Sequence, residues 1–146
     1  MARVTSADMG FNGFLLRFLF AQITVFATYN PSGFSYHHWA LLPFFSGNPQ
    51  LDPLKAVAGI ILVIAWAVFL IATIRSLRWL GTVLVGGFFA TLIWLAVDWQ
   101  LLPTDNLTLW IYLSEAVIGA IMGIGVSWSH IHRRITGQVD MDPVDR

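Results

Sequence analysis

The sequence predicts an all-α integral membrane protein, a four-helix bundle with both ends on the cytoplasmic side and a short interfacial helix between the first two spans. Three observations carry that expectation. Apolar stretches at 11–28, 53–74, 79–99 and 107–128 each cover ~27–33 Å at ~1.5 Å per residue, against a hydrocarbon core of ~30 Å. Hydrophobic residues make up 57% of the chain and charged ones only 11%, far from the balance of a water-soluble domain. The cations also gather in the connections of one side.

Domain organisation follows directly. A single domain, 1–134, holds the four spans, and 135–146 reads as a flexible cytoplasmic tail, with Asp140, Asp142, Pro143 and Asp145 and no periodicity. Arg3 precedes span 1, Arg75 and Arg78 fill the connection between spans 2 and 3, and Arg133 and Arg134 follow span 4. Only Lys55 borders the opposite loops. The positive-inside rule therefore assigns both termini and the 2–3 connection to the cytoplasm. Arg17 interrupts what would be the apolar region of a cleavable signal peptide, so span 1 reads as a retained anchor.

The long connection 29–52 lies outside. Asn30-Pro31-Ser32-Gly33 has the residue order of a type I turn. Ser35 is placed to cap a short helix, Tyr36–Leu42, which Pro43 ends. That piece is too short to span, so it lies in the interface or dips in and returns to line a pore. Tyr29, Tyr36, Trp39, Trp99 and Trp110 mark the outer boundary, and Trp79 and Trp128 the inner one.

Polar and small residues inside the spans suggest the interior. On span 1, Gly10, Gly13, Arg17, Ala21, Thr24 and Thr28 share one face. Leu15, Leu19 and Phe26 lie opposite, toward lipid, and Gln22 falls on that far side with no evident partner. Span 2 is evenly apolar. Span 3 aligns Gly87, Thr91, Trp94 and Asp98, with Gly86 and Ala90 beside them. Span 4 carries Glu115 near Tyr112, with a GxxxG at Gly119 and Gly123.

The expected intramembrane polar cluster is thus Arg17, Glu115, Asp98, Tyr112 and Thr91, and the helix-packing residues are Gly13, Gly87, Gly119 and Gly123. A mid-span arginine costs ~2.5–3.5 kcal/mol to insert, so Arg17 needs a neighbour. Glu115 lies at a similar depth. Three roles stand open for the two: an ion pair fixing helix register, a proton or ion relay, or pairing with another subunit. Asp98 is satisfied by water or Lys55 near the outer end, or joins the cluster.

Several chemistries are excluded. Without cysteine there is no disulfide, thiol nucleophile or thiolate metal site. His37 and His38 are separated from His130 and His132 by the bilayer, and neither adjacent pair points one way on a helix, so no metal or haem site is expected. Zero formal net charge argues against nucleic acid, and no phosphate loop or zinc-protease motif occurs. No cofactor is implied.

The stretch Phe14 to Phe20 with Arg17, followed by Phe26-Ala27-Thr28-Tyr29-Asn30-Pro31-Ser32-Gly33 and Ser35-Tyr36-His37-His38-Trp39, resembles the start of an uncharacterised family of small four-span bacterial inner-membrane proteins, a domain of unknown function. The resemblance implies a bacterial cytoplasmic-membrane location and supplies no activity. The expected function is a non-enzymatic accessory or structural protein, a homo-oligomer or a subunit of a larger membrane complex in contact with the lipid bilayer. The alternative is an ion or proton channel or transporter using Arg17, Glu115 and Asp98.

Overall fold

The computed structural model describes residues 6–50 and 52–136, with side chains for 10–50 and 52–128. Every regular element among them is helical: α1 (Ser6–Thr28), a π-helical turn (His37–Leu41) running into α2 (Leu42–Phe45), α3 (Pro53–Asp98) and α4 (Leu107–Thr136). Three helical stretches are long and apolar enough to cross a membrane: Gly10–Thr28, Pro53–Asp98 and Leu107–Trp128. Arg3, the tail beyond 136, and the side chains of His130, His132, Arg133 and Arg134 lie outside the described residues.

Local chemistry sets the helix starts. Asp52 caps α3, its carboxylate accepting from the Leu54 N–H at 3.0 Å, and Pro53 occupies the first turn, where its missing N–H costs nothing. Asn106 does the same for α4, accepting from the Leu109 N–H at 3.1 Å.

A straight α3 would extend ~69 Å, more than twice the hydrocarbon thickness. It is broken at Arg78, which has φ 54 and ψ 177. The first arm, 53–77, runs beside α4, from Trp66 near Glu115 and Ile118 to Thr73 against Met122 and Gly125. The second arm, 79–98, returns along the same helix, with Phe89, Ile93 and Ala96 sharing a groove with Leu113, Val117 and Ala120. Both arms can lie on that half of α4 only if the chain reverses at Arg78. The expected connection across 75–78 is therefore a single residue, because the helix continues through Arg75, Ser76 and Leu77.

Helix α1 lies antiparallel to α4. Phe18 sits over Gly123, Gln22 over Gly119, and the Phe26 ring stacks on Tyr112 with centroids 6.3 Å apart. Ala21, Val25 and Met122 form the core, with Trp66 and Phe69 packed against them. The outside is apolar. Ile60, Ile61, Val63, Ile64, Val68, Ile71 and Ile74 on the first arm are each more than half exposed. Such a surface costs ~25 cal/mol per Å² in water and nothing comparable in hydrocarbon.

The 29–50 segment is ordered by a few contacts. The Asn30 amide donates to the carbonyls of Phe26 and Phe34, each at 2.9 Å, while its Oδ1 accepts from the Ser32 N–H at 3.1 Å and from the Ser32 hydroxyl. Gly33 closes the turn at φ +87, a conformation that glycine adopts freely. Ser35 does not cap the following helix; its hydroxyl pairs with His38 Nδ1 at 2.8 Å. Nor does Pro43 end that helix. The turn ahead of it widens so that the Leu42 N–H bonds the His37 carbonyl, which relieves the usual proline clash with the carbonyl four residues back. Helix then runs on to Phe45.

Candidate functional site

The polar residue most thoroughly enclosed in the apolar part of α4, apart from Ser127, is Glu115. It is 6% exposed, and neither carboxylate oxygen has a hydrogen-bond partner among the described residues. Beside it lies an open-sided pocket of about 420 Å³, lined by Val25, Thr28 and Tyr29 of the α1 end, Trp66 of α3, and Leu107, Trp110, Ile111, Ser114 and Ile118 of α4.

Each wall is held from behind. Trp66 Nε1 donates to Thr28 Oγ1 at 2.9 Å, and that hydroxyl donates to the Thr24 carbonyl at 2.7 Å. Ser114 gives its proton to the Trp110 carbonyl at 2.8 Å. Tyr29 packs against His37 and His38, with ring centroids 5.3 and 5.5 Å away. The Tyr36 hydroxyl donates to the Lys55 carbonyl at 2.9 Å, so the outer loop is tied to the start of α3. Lys55 Nζ in turn lies 5.6 Å from the Trp39 ring centroid, a cation–π distance.

A family model described as "Family of unknown function (DUF6524)" matches residues 12–146. The chain belongs to that family. No curated protein and no solved structure matches it. The matched region contains every residue of the cavity, so the site belongs to the portion that defines the family.

The residues expected to cluster are not all brought together. Arg17 is half-buried on α1 and makes no ion pair among the described residues, and Glu115 accepts from no arginine. Thr91 is exposed, its hydroxyl bonded to the Gly87 carbonyl at 2.8 Å. Asp98 is exposed at the end of α3, and Tyr112 is 37% exposed against Phe26. Among the packing glycines, Gly119 and Gly123 lie at the α1 crossing, whereas Gly13 and Gly87 have open space where a Cβ would stand.

Sequence reasoning missed three contributors. Gln22, assigned to the lipid side, faces α4 and donates to the Ala116 carbonyl at 3.0 Å. Phe26, also assigned to lipid, rests on Tyr112. The interior face of α1 keeps Ala21 and Thr24 of the expected stripe, 0% and 6% exposed, but extends round to Phe18, Gln22 and Val25, while Gly13 and Arg17 are only half-buried. Phe18, Gln22 and Val25, at helical spacing, were the available signal. Gly125, against Thr73, was also unrecognised.

The cavity offers one carboxyl group and three aromatic rings. It has no second acid or histidine in its wall, and among the described residues no three His, Asp or Glu side chains converge as a metal site. What it can do chemically is hold a charge or a proton in apolar surroundings.

Proposed function

We propose that this chain is a non-enzymatic accessory protein of the bacterial cytoplasmic membrane that associates laterally with copies of itself or with a larger membrane assembly. It crosses four times, once per arm of α3, with both termini and Arg78 in the cytoplasm. The reading rests on a contrast between two sets of glycines. Those of α4 are occupied: side chains of Gln22, Phe18 and Thr73 fill the space over Gly119, Gly123 and Gly125. Two of the second arm are not: nothing lies within 4 Å of a Cβ built on Gly86 or Gly87, although one on Gly81 would meet Leu77.

Val83, Gly87, Ala90 and Trp94 form a stripe turned away from α4, all exposed. In lipid, small residues in mid-helix bring no hydrophobic gain and serve close approach by another helix. Native mass spectrometry from mild detergent or nanodiscs tests this. The expected spectrum shows a defined oligomer or a stoichiometric partner, and Gly87→Leu shifts it toward the single chain. A wild-type chain that is always alone contradicts the reading.

An ion or proton pathway through Arg17, Glu115 and Asp98 is favoured by one observation, the enclosed and unpartnered carboxyl of Glu115. It requires flux in liposomes that stops with Glu115→Gln, which lateral association does not.

A further inference from the structure

We propose that the cavity at Glu115 binds a small organic cation, an ammonium group on an apolar body, with the Glu115 carboxylate as its counter-charge. The inference goes beyond lateral association and does not depend on it.

The argument starts from what Glu115 lacks. An ionised carboxyl group this little exposed is costly unless something compensates it, and no described residue bonds it. The threonine and serine hydroxyls in the wall are spent, Thr28 on Thr24 and Ser114 on Trp110, and the Trp66 N–H on Thr28. Tyr29 and Trp110 also line the space, and neither the Tyr29 hydroxyl nor the Trp110 N–H bonds the carboxyl. Arg17 is not paired with it. No cation among the described residues pairs with it, which leaves the counter-charge of the ionised carboxylate to a ligand.

The walls select its kind. Tyr29, Trp66 and Trp110 line the same space as the carboxyl, and aromatic faces attract cations, tryptophan most strongly. Val25, Ile111 and Ile118 supply apolar surface for the rest of the molecule. A hard inorganic cation such as Ca²⁺ or Mg²⁺ demands about six or more oxygens, and one carboxylate among aromatic rings does not provide them. The volume of about 420 Å³ falls in the range that takes small organic ligands, ~300–1,000 Å³.

The experiment uses the full chain in nanodiscs and radiolabelled benzyltrimethylammonium, whose charge no proton can remove. Neopentylbenzene, the same shape without the charge, serves as competitor. Saturable binding to the wild type is expected, with no displacement by neopentylbenzene. Glu115→Gln weakens it at least ~10-fold, as loss of a desolvated counter-charge should. Trp110→Ala, which leaves the carboxyl and the hydrogen-bonded walls in place, weakens it ~3- to 10-fold through the lost cation–π contact and decides the matter if Glu115→Gln does not fold. Absence of saturable binding to folded wild type overturns the proposal. So does equal affinity in a folded Glu115→Gln or Trp110→Ala chain, or displacement by the neutral isostere.

Discussion

The side-chain amide of Gln22 lies across Gly119 and donates to the carbonyl of Ala116 at 3.0 Å. One turn further along, Phe18 lies across Gly123, and there the backbone itself is close: a Cβ on Gly123 would stand 2.9 Å from the Phe18 Cα. At Gly119 the nearest atoms belong to the end of the flexible Gln22 side chain, at 2.5–3.0 Å. The two halves of the GxxxG motif are therefore unequal.

Gly123→Ala should cost the more, ~2–3 kcal/mol, because α1 must move away and lose packing along its length. Gly119→Ala should cost ~1 kcal/mol or less, since the amide can swing aside at the price of one hydrogen bond worth ~0.6–1.7 kcal/mol in a membrane. Gly87→Ala, with open space above it, should leave the single chain unchanged or slightly more stable. Thermal melting in detergent gives the order directly; equal losses at 119 and 123 would refute the crossing described here.

The 29–36 segment depends on Asn30, which makes two donations and two acceptances while 9% exposed. Asn30→Asp keeps the shape and the acceptors but loses both donations, so the Phe26 and Phe34 carbonyls are left short. The expected loss is ~1–3 kcal/mol, seen as faster hydrogen exchange across 29–36 with α4 unaffected. Gly33→Ala, at φ +87, should cost ~1 kcal/mol through strain alone.

Arg78 adopts φ 54 and ψ 177, a region occupied almost only by glycine and costing other residues ~1–3 kcal/mol. Arg78→Gly should therefore raise the melting temperature, whereas Arg78→Ala, which removes the same charge but not the strain, should not. If the two behave alike, the reversal is not where the structure has it.

How much of this was readable from the residues differs by level. Helical class and the apolar stretches follow from composition and length, because a helix solvated by lipid must be apolar over ~20 residues. The turn at Asn30-Pro31-Ser32-Gly33 was legible because proline and glycine restrict φ so strongly. Which side of α1 faces inward was legible only in part: Ala21 and Thr24 of the expected stripe are buried, but Phe18 and Gln22 are turned inward as well. In water, polarity separates inside from outside; in lipid both sides are apolar, so the small and polar stripe marked only part of the interior face. Gln22 thus looked misplaced, although it packs on Gly119. The pairing of Arg17 with Glu115, expected from depth alone, is not made: Arg17 is half-buried and Glu115 accepts from no described residue. The Pro43 boundary was missed because a π turn leaves no mark in the sequence.

The central proposal is that α3, folded back at Arg78, makes two membrane crossings. The chain has no cysteine, so single cysteines placed by Ser46→Cys, Arg78→Cys and Thr104→Cys can be labelled with a membrane-impermeant maleimide in intact, then permeabilised, cells. The account predicts labelling of positions 46 and 104 from outside and of position 78 only after permeabilisation. Labelling of 78 from the same side as 46 and 104 would contradict it.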